Sequence, residues 1–361
     1  MANFTLATAS AREEWSNKFQ TEYTRESGFD AYMGTANNSI IRVFKELGKR
    51  KGDVIHAPYF KNLTGAGVSG STTLEGNEEA LGNYSTAIKM SLVRNGVAVG
   101  EDQSFKTELD VANVARGQLK NWAADKYRAD LLSSFSSVII AGSGTEEDTY
   151  KSYSASSASE KNAWMVANKD RVLLADTVVG DTQTVHSTAL ATITSSDTMS
   201  PAILNAARRA ARGTTNFRIN PYRSDKTKGR EWFVAFVGPD AYDALLNDPT
   251  ILAANTDARV RGVEDNPIFQ GGDLIYNGVI IREIPEIAKI AGAGASSADL
   301  APMYLCGAGA LAVGYAKLMD PRVDTRDFGH VNAVGITEIR GQSKMSAAGV
   351  QTGMVTVYHA V

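Results

Sequence analysis

The residues of this chain best suited to chemistry by type and spacing are few. They are Gly65-Ala66-Gly67-Val68-Ser69-Gly70, the arginines Arg208, Arg209 and Arg212, four histidines and one cysteine. A G-x-G-x-x-G loop holds a dinucleotide when a strand precedes it and a helix begins directly after it, because backbone N–H groups must meet the pyrophosphate. Here Ser71-Thr72-Thr73-Leu74-Glu75-Gly76-Asn77 follows, without a helical pattern, and Pro58 interrupts the run before it. The stretch reads as a flexible hairpin tip. The three arginines could bind phosphate. They also suit the last turns of a helix, where they complement its dipole and form ion pairs between subunits, which is the reading favoured here. His56, His186, His330 and His359 lie far apart, outside any H-E-x-x-H or C-x-x-C spacing. Neither a G-x-S-x-G elbow nor a Walker lysine is present. Cys306 sits beside Leu305, Gly307 and Ala308, the setting of an inert buried thiol. The acids are scattered and nominate no catalytic pair. The sequence therefore assigns no catalytic, cofactor-binding or metal-binding residue.

The hairpin around those glycines is the most informative element. Asp53 to Phe60 is a short apolar run, the polar tip follows, and the chain returns through Tyr84 to Val93. A tip this polar and glycine-rich gains little by folding on its own domain, since ordering costs free energy that local burial does not return. A neighbouring copy of the chain is the expected receiver, which indicates an assembly subunit.

The chain has 361 residues and can bury a large core. Its formal charge of -3 gives no overall drive toward nucleic acid or an anionic membrane. A lone cysteine excludes an internal disulfide and fits a reducing compartment such as a bacterial cytoplasm. Residues Met1 to Ser10 lack the basic and apolar regions of a secretory signal. The apolar run Ala301 to Val313 is too short to span a bilayer.

Along the chain, residues 1 to about 50 read as an extended arm. Trp15, Phe19 and Tyr23 fall on one helical face that anchors it to something else. From Asp102 to about Ile140 the pattern Phe105, Leu109, Ala112, Ala115, Leu119, Trp122, Lys126, Ala129 predicts a long helix, a spine for a flat domain, with Glu101 and Asp102 at its start. Gly142 to Ser159 reads as a surface loop, followed by short strands near Val172 to Leu174 and Ala189 to Ile193. Ser200-Pro201 opens a helix that ends at Gly213. Trp232 to Val237 is a buried strand leading through Gly238-Pro239-Asp240 into a short helix. Leu274 to Ile281 is a hairpin turning on Asn277-Gly278. Further strands are expected at Ala310 to Tyr315, Ala333 to Arg340 and Met354 to Tyr358.

This order of parts resembles the major capsid protein of tailed bacteriophages, and in particular the N-four type of podophage. The similarity rests on Phe44-Lys45-Glu46-Leu47-Gly48 with Lys51-Gly52-Asp53-Val54-Ile55, on Leu74-Glu75-Gly76-Asn77-Glu78-Glu79-Ala80-Leu81, on Asp170-Arg171-Val172-Leu173-Leu174, and on Phe269 to Ile281. It spans about residues 40 to 340. The resemblance implies the α+β fold shared by tailed-phage and herpesvirus-type major capsid proteins. That fold has an N-arm (1–51), an E-loop (52–101), a P-domain with spine helix and surface loop (102–213), an A-domain (214–305) and returning P-domain strands (306–361). It implies a non-enzymatic subunit that forms pentamers and hexamers of an icosahedral virion shell around double-stranded DNA, assembled in the bacterial host cytoplasm. The expected partners are other copies of the chain, a separate scaffolding protein, a portal and a decoration protein. Packaged DNA would be contacted weakly, and no membrane is involved. Gly65, Gly67, Gly70, Glu75, Glu78 and Glu79 in the hairpin, and Trp15 and Phe19 in the arm, are the candidate inter-subunit contacts. Some relatives crosslink a lysine to a neighbour's asparagine. Lys61 lies in the hairpin, but nothing identifies an asparagine or a catalytic acid for it. A cellular nanocompartment shell of the same fold and a nucleotide-dependent enzyme are the alternatives. Packaged DNA against protein cargo separates the first, and a cofactor titration the second.

A DNA container has to let its contents slide, and phosphate binding scales with the number of cationic contacts. The free subunit is therefore expected to bind DNA weakly and with strong salt sensitivity, as measured by fluorescence anisotropy across a salt series. Tight sequence-specific binding at physiological salt would contradict the shell reading.

Overall fold

The computed structural model describes residues 22–45, 53–61, 63, 65–79, 81–100, 111–142, 147–176, 184–213, 217–225, 230–251, 253, 274–327 and 330–361. Trp15, Phe19, Glu101 and Asp102 lie outside these residues, as does the first part of the expected spine helix.

Two sheets share the core. The first has five strands in the order β1 (Met33–Gly34), β2 (Ile41–Phe44), β14 (Leu311–Arg326), β15 (Val331–Lys344) and β5 (Ser91–Gly100). The second is mixed and runs β11 (Leu274–Tyr276), β12 (Val279–Glu283), β10 (Arg230–Val237), β13 (Leu300–Cys306), β18 (Met354–Ala360), β8 (Val172–Leu174), with β9 (Arg223–Asp225) paired to β10. Among the described residues three small ribbons complete the set: β3 (Val54–Phe60) with β4 (Asn83–Lys89), β6 (Val138–Ile140) with β7 (Thr149–Lys151), and β16 (Ser346–Ala347) with β17 (Val350–Gln351). Strands β13 and β18 are buried at every residue, because helices or other elements cover both faces; this is why they read as continuous apolar runs.

The spine helix α1 (Val111–Ser136) crosses the core and spans roughly 39 Å at 1.5 Å per residue. Its buried stripe is Ala115, Leu119, Ala123, Tyr127, Leu131 and Phe135, at strict i+4 spacing. Lys126 and Ala129, expected on that face, are exposed; Lys126 instead pairs with Asp130 at 2.7 Å. The helix also stops before the expected Ile140. Ser134 and Ser137 donate their hydroxyls to the carbonyls of Asp130 and Ser134, competing with the helical ladder, and β-branched Val138-Ile139-Ile140 continues as strand.

Two further expectations are corrected. The segment 142–159 is not wholly loop: it contains β7 and leads into α2 (Ala158–Ala167), whose start is a capping box between Ser157 and Glu160. The expected strand Ala189 to Ile193 begins as a short helix, α3 (His186–Leu190), because packing of Ala189, Leu190 and Ile193 against Trp164 and Tyr358 outweighs local preference. Pro201 opens α4 (Pro201–Gly213) as expected, and Pro239 opens α5 (Pro239–Leu246); both cover one face of the second sheet. The Asn277-Gly278 turn has positive φ at both residues, 43° and 76°.

One buried polar network joins the layers. Tyr23 donates to Glu338 Oε1 at 2.6 Å. Arg340 Nη2 donates to Asp130 Oδ2 at 2.7 Å, and its Nε lies 3.1 Å from Glu338 Oε2. The guanidinium sits 4.6 Å from the Tyr127 ring centre, and Tyr315 donates to the Tyr127 hydroxyl at 2.9 Å. Burial pushes the Glu338 carboxyl above its ordinary range, against the opposing pull of Arg340 and the Tyr23 hydroxyl. Removing one partner of a buried pair leaves its counter-charge stranded. Arg340→Met is expected to destabilise the subunit by about 3–5 kcal/mol in urea unfolding. A loss similar to that of an exposed ion pair would show the network to be dispensable.

Candidate functional site

The β3–β4 hairpin has a fixed root and an open tip. At the root, Ile55 pairs with Ile88 and Ala57 with Thr86, and these four residues are buried. Ile55, Ala57 and Ile88 press on Ala312 of β14 and on Met345, which follows β15. That approach is possible because Gly314 and Gly341 face each other across β14 and β15. A Cβ at Gly314 would stand 2.7 Å from Ile55 and Met90 side-chain atoms, and one at Gly341 would stand 2.2 Å from the Lys89 carbonyl oxygen. The Thr86 hydroxyl donates to the Ser346 carbonyl at 3.1 Å. The returning arm ends sooner than its apolar pattern indicated. Met90 turns the chain, its N–H donating to the Asp53 carbonyl at 2.8 Å, and 91–100 leaves to pair with β15.

Above the root, the rings of Tyr59 and Tyr84 brace on Phe217, with centres 6.0 and 5.4 Å away. Glu147 clips the stem: its Oε1 accepts from Ser85 Oγ and lies 2.8 Å from His56 Nδ1. Serine and histidine thus meet the same carboxylate oxygen, so this trio is a clamp and not a relay that would activate the serine.

The tip is exposed throughout residues 65–79. Gly67, Gly70 and Gly76 take φ of 65°, 69° and 84°, a region costly for other residues. After Gly70 the chain makes turns, whereas a phosphate cradle requires a helix N-terminus there. Gly65 N–H donates to Glu79 Oε2 at 2.5 Å and Gly76 N–H to Glu78 Oε2 at 2.8 Å. Two of the three candidate acids therefore shape the tip's own backbone. Glu75 is exposed in the turn beside Gly76. Apolar groups are also left in water: Phe60 is 54% exposed, Leu63 64%, Leu74 58% and Leu81 61%. Sequence reading stressed the polarity of the tip and missed these residues, although Leu63 and Leu74 each stand between polar neighbours.

The remaining chemistry-bearing side chains are dispersed. Arg208 donates to Asn277 Oδ1 at 2.9 Å, locking the turn, and Arg212 and Arg218 both reach Glu231 at 2.9 Å. Arg208 and Arg212 thus make contacts within the subunit, and Arg209 is exposed on the same helix. His186 is buried among Tyr153, Trp164 and Tyr358, and burial pushes its pKa down to about 4. Cys306 is wholly buried, which raises its thiol pKa. Among the described residues no three His, Cys, Asp or Glu side chains converge in a way that could hold a metal ion, and no helix is long and apolar enough to cross a membrane. A cavity of about 590 Å³ lies beside the C-terminal half of α1, lined by Tyr153, Tyr304 and Tyr358. Its charged residues are engaged: Glu286 with Arg128 at 2.8 Å, Lys289 with Asp240 at 2.6 Å, and Lys161 over the Tyr153 ring at 4.1 Å.

A rooted, outward-reaching hairpin on a two-sheet body with a spine helix is the geometry of a subunit that completes its contacts in an assembly. The family model described as phage capsid protein matches residues 3–361. The chain belongs to that family. It is 28% identical over 354 residues to the major capsid protein of Pseudomonas phage KPP25, covering 93% of this chain and 89% of that protein. The capsid asymmetric unit of cyanophage Pam1 matches with a TM-score of 0.85 at 36% identity, covering 100% of this chain and 99% of that one. The capsid of Ralstonia phage GP4 shares the fold, with a TM-score of 0.71 at 20% identity over 92% of this chain and 90% of that one. The protein is a phage major capsid protein, a structural component of an icosahedral virion shell and not an enzyme.

In this capsid subunit, Lys344 is a strongly perturbed base. Its buried Nζ donates to the Ser137 carbonyl at 2.7 Å and lies 5.4 Å from the Trp164 ring centre, and burial pushes its pKa down to about 7. An unfolded lysine keeps its proton to about pH 10.4. Between the two values the unfolded state binds more protons, so this residue makes stability rise with pH. The unfolded cysteine, with an ordinary pKa of about 8.5, ionises through the upper part of this range while the buried thiol keeps its proton, which opposes part of the rise. The free wild-type subunit is expected to gain stability from pH 7 to about pH 9, by at most about 1.4 kcal/mol per pH unit from this group. Lys344→Met should flatten that rise in chemical unfolding. An identical slope in the variant would refute the assignment.

Proposed function

We propose that this capsid subunit forms pentamers and hexamers that close into the shell around double-stranded DNA, with the hairpin of each copy lying on its neighbour. The observation that carries this is the contrast within the hairpin: a root locked by opposed glycines, and a tip with Leu63, Leu74 and Leu81 in water. Ordering some twenty residues costs about 1–2 kcal/mol each, which the tip's few internal hydrogen bonds do not offset. A neighbour supplies the missing burial. Closed shells need repeated, nearly equivalent contacts rather than one twofold patch, and an adaptable glycine tip fits small differences in neighbour angle. Gly65, Gly67, Gly70, Glu75, Glu78 and Glu79 are the contacts proposed in the tip, with Trp15 and Phe19 from the arm.

The proposed division is an N-arm at 1–51, an E-loop at 52–101, a P-domain at 102–213 and 306–361, and an A-domain at 214–305. Strands β8 and β18, which lie in the P-domain segments, complete the sheet centred on β10. Within the tailed-phage capsid proteins we assign the chain to the N-four-type podophage group, on the order of its four sequence blocks. A scaffolding protein, a portal and a decoration protein are the proposed partners, assembly takes place in the bacterial host cytoplasm, and packaged DNA is contacted weakly.

Deleting Thr64 to Asn83 tests the clamp. The variant is expected to keep near-unchanged circular dichroism and to lose stable shells in electron microscopy, with scaffolding supplied. If the deletion unfolded the isolated subunit, or if shells formed with unchanged stability, the hairpin would not be the clamp between subunits.

A further inference from the structure

The outer part of the β14–β15 hairpin carries a charge pattern that the subunit's own core does not use. From Asp320 to Arg326 the ladder is regular, running from Asp320 opposite Thr337 to Arg326 opposite Val331. Side chains alternate along a strand, so Asp320, Arg322, Asp324 and Arg326 share one face. Ion pairs along the strand agree: Arg322 Nε lies 3.2 Å from Asp320 Oδ2, and Arg326 Nε lies 2.9 Å from Asp324 Oδ2. The side chains of Arg322, Asp324 and Arg326 are 60%, 61% and 68% exposed. On the same face the neighbouring strands present Gly335 and Ala333, then Gly96 and Ala98. These short residues leave the charged groups standing above a flat surface, with Arg94 opposite Thr337 as a further cation on the β5 side. On the opposite face Val334 and Ile336 are buried in the core that includes the spine helix, whereas Val323, across from Val334, is 63% exposed.

We propose that this face docks against the same face of a second copy of the chain across a local twofold axis, Arg322 of each copy meeting Asp324 of the other. The order Asp-Arg-Asp-Arg becomes Arg-Asp-Arg-Asp when reversed. Two copies laid antiparallel about a point between Arg322 and Asp324 therefore place every charge opposite its complement. Arg322 faces Asp324, and Arg326 faces Asp320. Parallel copies in register would set like on like. Antiparallel contact through one identical patch is what a twofold axis produces. Asp320 is largely covered, with Lys317 at 2.9 Å and only 12% of its side chain exposed, so the central Arg322–Asp324 pairs carry the contact. Excluding water between the two flat faces strengthens the attraction of these charges. The inference rests on the shell reading: hairpin contacts link copies within a ring, and this face links one ring to the next.

Charge exchange tests it. Arg322→Asp and Asp324→Arg each place like charges face to face and are expected to lower the yield of closed shells at least tenfold, which a loss of about 1.4 kcal/mol per contact suffices to produce. The double variant R322D/D324R restores opposite charges and should recover shells to near the wild-type yield. Pentamers and hexamers should form in all three, and the unfolding midpoint of the free subunit should stay close to wild type. Single variants that assemble like the wild type would overturn the proposal, as would a double variant as impaired as the singles. If the wild-type chain gave no shells with scaffolding supplied, the shell reading itself would fall, and this contact with it.

Discussion

The buried ion pair of Glu338 and Arg340 is the interaction on which the body of this subunit depends. Both side chains rise from one face of β15 into a space that admits almost no water. Such a pair is tolerated only when hydrogen bonds satisfy what the partners leave over. Here those bonds come from Tyr23 before the first strand and Asp130 on the spine helix, while the Tyr127 ring, its hydroxyl held by Tyr315, packs against the guanidinium. The cost of stranding either charge couples the start of the described chain, the helix and the long hairpin into one cooperative body. A purely apolar core of the same volume could be as stable, but it would fix the helix against the sheet less specifically.

That rigidity lets the rest of the molecule reach outward. The opposed glycines Gly314 and Gly341 lie on the same two strands and accept the hairpin root at a distance no side chain would permit. The root is thus set by the body, while the tip is exposed throughout residues 65–79. A second fixed ribbon, the outer part of β14 and β15, presents its charges from the same framework. A shell subunit needs this combination: contacts placed accurately by a stiff body, and one element adaptable enough to meet neighbours at slightly different angles.

The perturbed titratable groups belong to this framework and not to catalysis. Cys306, Lys344, His186 and His359 owe their shifted pKa values mainly to burial. They lie in packed strands or a buried helix start, where desolvation is a by-product of two-sided sheet coverage. Perturbation marks an active site only when the group faces a cleft with converging partners. In the clamp on the hairpin stem, Glu147 meets Ser85 and His56 in an exposed setting that holds shape.

The sequence by itself determined much of this protein. Chain order and local pattern disclosed the hairpin with its glycine tip, the spine helix, the Asn277-Gly278 turn and the buried strand at Trp232 to Val237, because each is governed by residues close in sequence. The sequence also carried the family, through blocks whose order matters more than any one of them. Only the tertiary structure decided where the helix turns its face, because burial of Tyr127 and Leu131 rather than Lys126 and Ala129 depends on a sheet built from residues two hundred positions away. Only the tertiary structure sent Ser91 to Gly100 to the edge of the five-stranded sheet, since pairing with Val331 to Arg340 competes with continuing the hairpin and gains more backbone hydrogen bonds. The charge stripe of Asp320 to Arg326 was present as letters from the start. That it lies on an open face had to await the ladder with β15, which fixes which side of a strand meets water.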